Sequence, residues 1–134
     1  MAGTLQFDLV SPEKRLASMA ATEVLIPGSE GDLTAMPGHA PVLVGLRTGT
    51  LRVCSDEGVK SFVVTGGFAE VTATGVSVLA ERVVPFEEAT GTVIDQILAE
   101  ARSLAEAALP EDKDMAEKNV ADALALHDAV LKAH

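Results

Sequence analysis

The sequence predicts a β plus α chain: an N-terminal antiparallel β-sandwich followed by a C-terminal two-helix antiparallel hairpin. Three observations predict it. Residues 1–85 hold ten of the eleven glycines, five of the six prolines and thirteen valines. Residues 86–134 hold twelve alanines and a single glycine. The apolar period also changes across that boundary, from two residues to alternating three- and four-residue steps. Two domains are therefore expected, 1–85 and 86–134.

Taken in order, Leu5, Phe7 and Leu9 alternate with Gln6 and Asp8, and Leu51 and Val53 alternate with Arg52 and Cys54. That is the spacing of strands with one face in a core. Further short apolar runs fall at 23–26, 42–46, 61–65, 68–72 and 76–80. Pro27-Gly28, Pro37-Gly38, Thr48-Gly49, Asp56-Glu57-Gly58, Gly66-Gly67 and Thr74-Gly75 supply the constrained or positive φ angles that chain reversals need. Gly66-Gly67 accordingly reads as a hairpin turn. Many short strands without intervening helices define a sandwich or barrel.

In the second part, Ile94, Ile97, Leu98, Ala101, Leu104, Ala105 and Ala108 form one helical stripe, with Asp95, Glu100, Arg102 and Glu106 opposite. Pro110, followed by Glu111 and Asp112, ends that helix and offers an N-cap to the next. Ala116, Val120, Ala123, Leu124, His127 and Leu131 then repeat the spacing. The expected contact surface is mostly alanine, and so close-packed but weakly held.

Composition excludes several function classes. No uninterrupted apolar run exceeds the four residues 123–126, far short of the roughly 20 a membrane-spanning helix needs. Nothing at the N-terminus resembles a secretory signal. Twenty acidic against ten basic residues give a net charge of −10, which repels phosphate backbones and anionic headgroups, so nucleic acid is not an expected partner. Without Trp or Tyr, base-stacking platforms are also missing. The single cysteine, Cys54, fits a reducing compartment and reads as a half-buried strand residue rather than a reactive thiol.

No constellation carries catalysis. His39, His127 and His134 lack metal-ligand spacing with one another or with Cys54, so no metal is expected, and no cofactor. Neither a nucleophile elbow nor a phosphate-binding glycine loop is present. Glu87 and Glu88 read as helix N-terminal acids favoured by the macrodipole. Glu30 and Asp32 flank Gly31 with too few oxygen ligands for calcium. What stands out is residues 28–43, GSEGDLTAMPGHAPVL, where prolines and glycines stiffen an acidic loop. Rigid loops of this kind lose little entropy when a partner docks.

Five segments together resemble the epsilon subunit of bacterial rotary ATP synthase: LVSPE at 9–13, IPGSEGDL at 26–33, PGHAPVL at 37–43, GGFAEV at 66–71 and VLAE at 78–81. The resemblance runs from residue 5 to about residue 84, and a helical hairpin of the expected length follows. It implies a ten-stranded sandwich plus two helices at the foot of the rotating gamma stalk, on the ring of c subunits. The chain then couples c-ring rotation through gamma to ATP synthesis performed elsewhere, as a non-catalytic rotor subunit on the cytoplasmic face of the inner membrane, attached only through partners. Carried over residue by residue, Ser29, Glu30, Gly31, Asp32 and Leu33 would face the c ring, and Pro37, Gly38, His39, Ala40 and Pro41 would lie towards gamma.

Members of this family also use the hairpin as an inhibitor that reaches the catalytic-head subunits, and a regulatory module answering to nucleotide is the alternative reading. Two departures weigh against it. Residues 86–134 carry eleven acids against Arg102, Lys113, Lys118 and Lys132, and like charges repel an acidic partner segment. Where ATP-binding members resemble Ile-Asp-x-x-Arg-Ala, the run here is Ile94-Asp95-Gln96-Ile97-Leu98-Ala99, so the arginine that would hold phosphate is a leucine. Glu81, Ile94 and Asp95 are thus expected to be vestigial nucleotide-site positions.

Overall fold

Eight strands precede two helices in the computed structural model, which describes residues 3 to 133. His134 lies outside the described residues. The strands are β1 Leu5–Val10, β2 Arg15–Ala21, β3 Glu23–Ile26, β4 Leu33–Ala35, β5 Val42–Gly45, β6 Gly49–Ser55, β7 Gly58–Val71 and β8 Gly75–Pro85. Helices α1 Gly91–Ala107 and α2 Lys113–Ala133 follow, each preceded by a 3-10 turn, at Phe86–Glu88 and Pro110–Asp112. The chain divides into two compact units between Phe86 and Glu87.

The sheet runs in the order β2-β1-β8-β7-β6-β3-β4, with β5 added beside β7. All pairings are antiparallel except β1 with β8. Strand β7 makes a sandwich from this single sheet. Its first half pairs with β6 up to Val64, and its last residues, from Phe68 onward, pair with β5. Between them lie Gly66 and Gly67, both at positive φ, 65° and 98°. The glycine pair bends the strand inside its length rather than ending it, which corrects the expected hairpin turn. The register against β8 is the same on both sides of the bend, Thr65 opposite Arg82 and Gly67 opposite Ala80, so no residue is inserted.

The same bend explains why eight strands appear where the resemblance implied ten. The runs at 61–65 and 68–72 belong to one 14-residue strand, and β8 likewise passes through the corner over 11 residues. Each therefore serves both layers. One core cluster gathers side chains from the whole sheet: Leu5, Phe7 and Leu9 of β1, Val24 and Ile26 of β3, Leu51 and Val53 of β6, with Val64, Val71 and Val78. The first three are fully buried, as their alternation demands.

Two strands escaped sequence reading. β2 is RLASMAA, poor in the branched and aromatic residues that mark a strand, and its backbone is held by pairing with β1 at the sheet edge. β4 is only three residues long, too short to show a period.

In the second unit, α1 and α2 pack against each other as an antiparallel pair. Lys113, at the start of α2, donates from Nζ to the Ala105 carbonyl at 2.8 Å, joining the Ala108 N–H, which caps the same end-of-helix acceptor at 3.4 Å. Ile94, Ile97, Leu98, Ala101 and Ala105 are buried as expected, whereas Leu104 is exposed. On α2 the buried positions are Ala123, Leu126 and Val130, while Leu124 and Leu131 face outward. Both stripes share Ala116, Val120, Ala123 and His127, and the helix continues along the three-residue step after Ala123, which periodicity alone leaves open. The buried face is not mostly alanine either. Ala99, Ala107, Ala121, Ala125 and Ala129 are exposed; their abundance reflects helix propensity, and larger side chains fill the interior.

Glu87 and Glu88 belong to the separate 3-10 turn, and α1 has no acid in its first turn. The pair therefore lies outside the first turn of α1, where the macrodipole would favour it. Asp112 likewise closes a 3-10 turn before α2 instead of acting as a simple cap.

Candidate functional site

The loop between β3 and β4 is built from its backbone outward. Gly31 N–H donates to the Gly28 carbonyl at 3.3 Å, closing a tight turn. A Cβ on Gly28 would run into the Gly31 carbonyl oxygen, so only glycine fits there. The turn is then laced to the chain between β5 and β6. Gly28 forms a β-bridge with Leu46, Ser29 N–H donates to the Gly45 carbonyl at 2.7 Å, and Arg47 N–H donates to the Pro27 carbonyl at 3.0 Å.

Arg47 also reaches the loop with its side chain. One guanidinium nitrogen, Nη1, donates to the Gly28 carbonyl at 2.8 Å and the other, Nη2, pairs with Asp32 Oδ1 at 2.5 Å. Ser29, Glu30, Gly31 and Asp32 stand exposed on this braced turn, and Leu33 is half-buried at the start of β4. Together with residues 42–45 of β5 they line an open depression of about 450 Å³. The five residues expected to face a partner ring are thus brought together on one rim.

Residues 36–41 form a second loop, at the other end of β4. Gly38 has φ +86° and donates from its N–H to the Ala73 carbonyl at 2.9 Å, tying the loop to the β7–β8 turn. His39 N–H donates to the Met36 carbonyl at 3.1 Å, and its ring Nδ1–H donates to the Ala40 carbonyl at 2.6 Å. Pro37 and His39 are half-buried; Gly38, Ala40 and Pro41 are exposed. β4 and β5 therefore separate the two loops, which form neighbouring surfaces rather than one.

Glu81, Ile94 and Asp95 are disposed differently. Glu81 lies over the β7 bend, where its carboxylate fills the space beside Gly66. Ile94 is only 1 % exposed and has no surface to offer a ligand. Asp95 pairs across the hairpin with His127 Nε2 at 3.3 Å, while His127 Nδ1 lies 3.6 Å from Asp128. Among the described residues no group of three or more His, Cys, Asp or Glu side chains could hold a metal ion. Cys54 is half-buried, and burial pushes its thiol up from the ordinary value; the nearby Glu23 carboxylate adds to the shift and Arg52 opposes it. A thiol held protonated in this way is a poor nucleophile.

Two features were missed by sequence reading. One is Arg47, a lone basic residue beside a turn whose link to Asp32, fifteen positions earlier, no local pattern announces. The other is an apolar row on the outer face of the sheet. Phe68 of β7 pairs with Gly45 of β5 and with Leu79 of β8, and Leu43 stands two residues from Gly45 on the same face. Leu43, Phe68 and Leu79 are 65 %, 46 % and 40 % exposed, three large apolar side chains turned to the outside of the sheet. Alternation within GGFAEV hints at it, since Ala69 and Val71 point inward and leave Phe68 outside.

A sandwich carrying such a rim and followed by a helical pair defines a class, the delta/epsilon chains of ATP synthase: residues 4–86 match the family described as "ATP synthase, Delta/Epsilon chain, beta-sandwich domain". Full-length relatives narrow it. The ATP synthase epsilon chain of Cereibacter sphaeroides is 64 % identical over 94 % of this chain and 96 % of its own length. That of Rhodobacter capsulatus is 58 % identical over the same shares. The chain belongs to the ATP synthase epsilon-chain family. The fold is also that of a chain in the Euglena gracilis mitochondrial ATP synthase assembly of OSCP, F1 and c-ring, with a TM-score of 0.71 at 23 % identity, covering 99 % of this chain and 82 % of that one.

Proposed function

We propose that the chain is a non-catalytic coupling element that grips two neighbours: the polar loops of the c ring through Ser29, Glu30, Gly31, Asp32 and Leu33, and the gamma subunit through residues 37–41 and the apolar row Leu43, Phe68 and Leu79. The observation that carries this reading is the braced rim. Its backbone is fixed by bonds from residues 45 and 47, so docking costs little ordering entropy, and Glu30 is exposed for charge-assisted hydrogen bonds to a cationic neighbour. The adjacent apolar row supplies the hydrophobic centre that a stable protein contact requires. No described helix is long and apolar enough to cross a membrane.

Affinity capture of the tagged chain from detergent-solubilised membranes tests the reading. Gamma and c subunits should co-purify in the presence of the wild-type chain; their absence from the captured material would sink the proposal.

The hairpin is assigned a weak inhibitory role. Its eleven acids against four bases disfavour docking on an acidic catalytic segment, and Ile94 and Asp95 are engaged within the hairpin. Removing residues 87–134 should leave ATP hydrolysis by the assembled synthase within about twofold of the full-length level, because repulsion between like charges disfavours the inhibited posture. A large rise in hydrolysis on truncation would show the hairpin to be a strong brake.

A further inference from the structure

We propose that Arg47 is the positioning residue of the rim and that it gives the loop's two carboxylates different tasks: Asp32 is held internally, and Glu30 alone is left to meet a cation on the partner. The second half rests on the reading of the rim as a contact surface.

The geometry supports the division. Arg47 follows Leu46, whose bridge to Gly28 fixes the backbone from which the guanidinium extends. Its planar fork then spans the turn, touching the carbonyl at the first residue, Gly28, and the carboxylate at the last, Asp32. The two arms differ in strength. Asp32 is 74 % exposed, and an ion pair so well solvated is weak by itself. The bond to the Gly28 carbonyl is part-buried and charge-assisted, and holds the guanidinium in place for the second contact. Among the described residues the Glu30 carboxylate has neither an ion pair nor a hydrogen bond, and it is exposed. With Asp32 paired to Arg47, Glu30 is the rim's unpaired carboxylate. A matching partner offers one guanidinium or ammonium group there, and a second cation opposite Asp32 would have to share that carboxylate with Arg47.

Amide hydrogen exchange by NMR on the full chain reads the latch directly, because Ser29 N–H is bonded to the Gly45 carbonyl and is freed only when the rim opens. Arg47→Ala should speed exchange at Ser29 by about tenfold, the loss expected for a charge-assisted bond. Asp32→Asn should speed it by about two- to fivefold, as for an exposed ion pair. The double variant should exchange no faster than Arg47→Ala alone, since the two residues act as one unit. Arg47→Lys, with a point charge in place of the fork, should fall between wild type and Arg47→Ala. Glu30→Gln should leave Ser29 exchange unchanged and lower retention of the chain in the captured complex. Unchanged Ser29 exchange in Arg47→Ala, or additive effects in the double variant, would overturn the latch whatever the rim binds. A loosened rim in Arg47→Ala combined with full retention of Glu30→Gln would instead overturn the task given to Glu30, together with the contact reading.

Discussion

Gly67→Ala should cost the sandwich about 3–5 kcal/mol, a large share of the roughly 5–15 kcal/mol that holds a domain folded. Two penalties combine at this position. Its φ of +98° is a conformation that side-chain-bearing residues adopt only under strain, a cost of about 1–3 kcal/mol. A Cβ would also overlap the Leu79 carbonyl oxygen and come within 2.9 Å of Ala80 Cα, both backbone atoms of the paired strand that cannot step aside. Gly66→Ala is the internal control. It shares the positive φ, but its new methyl would meet the Glu81 side chain, which can swing into solvent. Urea unfolding of both variants makes the comparison, with Gly67→Ala showing much the larger fall in midpoint. Equal midpoints would mean that the close approach of β7 to β8 does not set the corner.

Glu30→Lys should detach the chain from the rotor without unfolding it. The reversal replaces an attraction by a repulsion facing a cationic loop, and like charges brought together at an interface cost several kcal/mol, so retention should drop by about 100-fold at low salt. Added salt should narrow the difference, because exposed charges are screened over about 10 Å at 0.1 M. The thermal midpoint should stay at the wild-type value, since Glu30 is exposed. Co-sedimentation with the solubilised complex, compared with ATP-driven proton pumping in reconstituted vesicles, checks both parts. Normal retention and pumping by Glu30→Lys would remove Glu30 from the interface.

Much of the architecture was legible because it rests on local patterns. The alternation in LQFDLV buries Leu5, Phe7 and Leu9, and the stripe from Ile94 to Ala105 buries one side of α1, since in each case the period of the apolar residues is the period of the backbone. Pairings across sequence were not legible. β2 is a strand because β1 lies beside it, not because RLASMAA prefers to be one. Gly66-Gly67 carries the same composition whether it closes a hairpin or bends a continuous strand, and only the unbroken register with β8 distinguishes the two. The candidate rim divides in the same way. Its glycines and acids were readable as a stiff loop between Pro27 and Pro41, but the brace was not. Arg47 meets Asp32 through the crossing of two connections, and Phe68 meets Leu79 through strand pairing, so neither shows up in a window of neighbouring residues.

The passage of β7 and β8 through both layers bears on how the sandwich carries load. When two stacked sheets are joined only by side-chain packing, sliding one over the other is opposed by many weak contacts that can yield in turn. Here two paired backbones cross the corner together, hydrogen-bonded on both sides of it. A shearing force applied to one layer is delivered to the other along covalent chain, and little of it is dissipated as elastic slip.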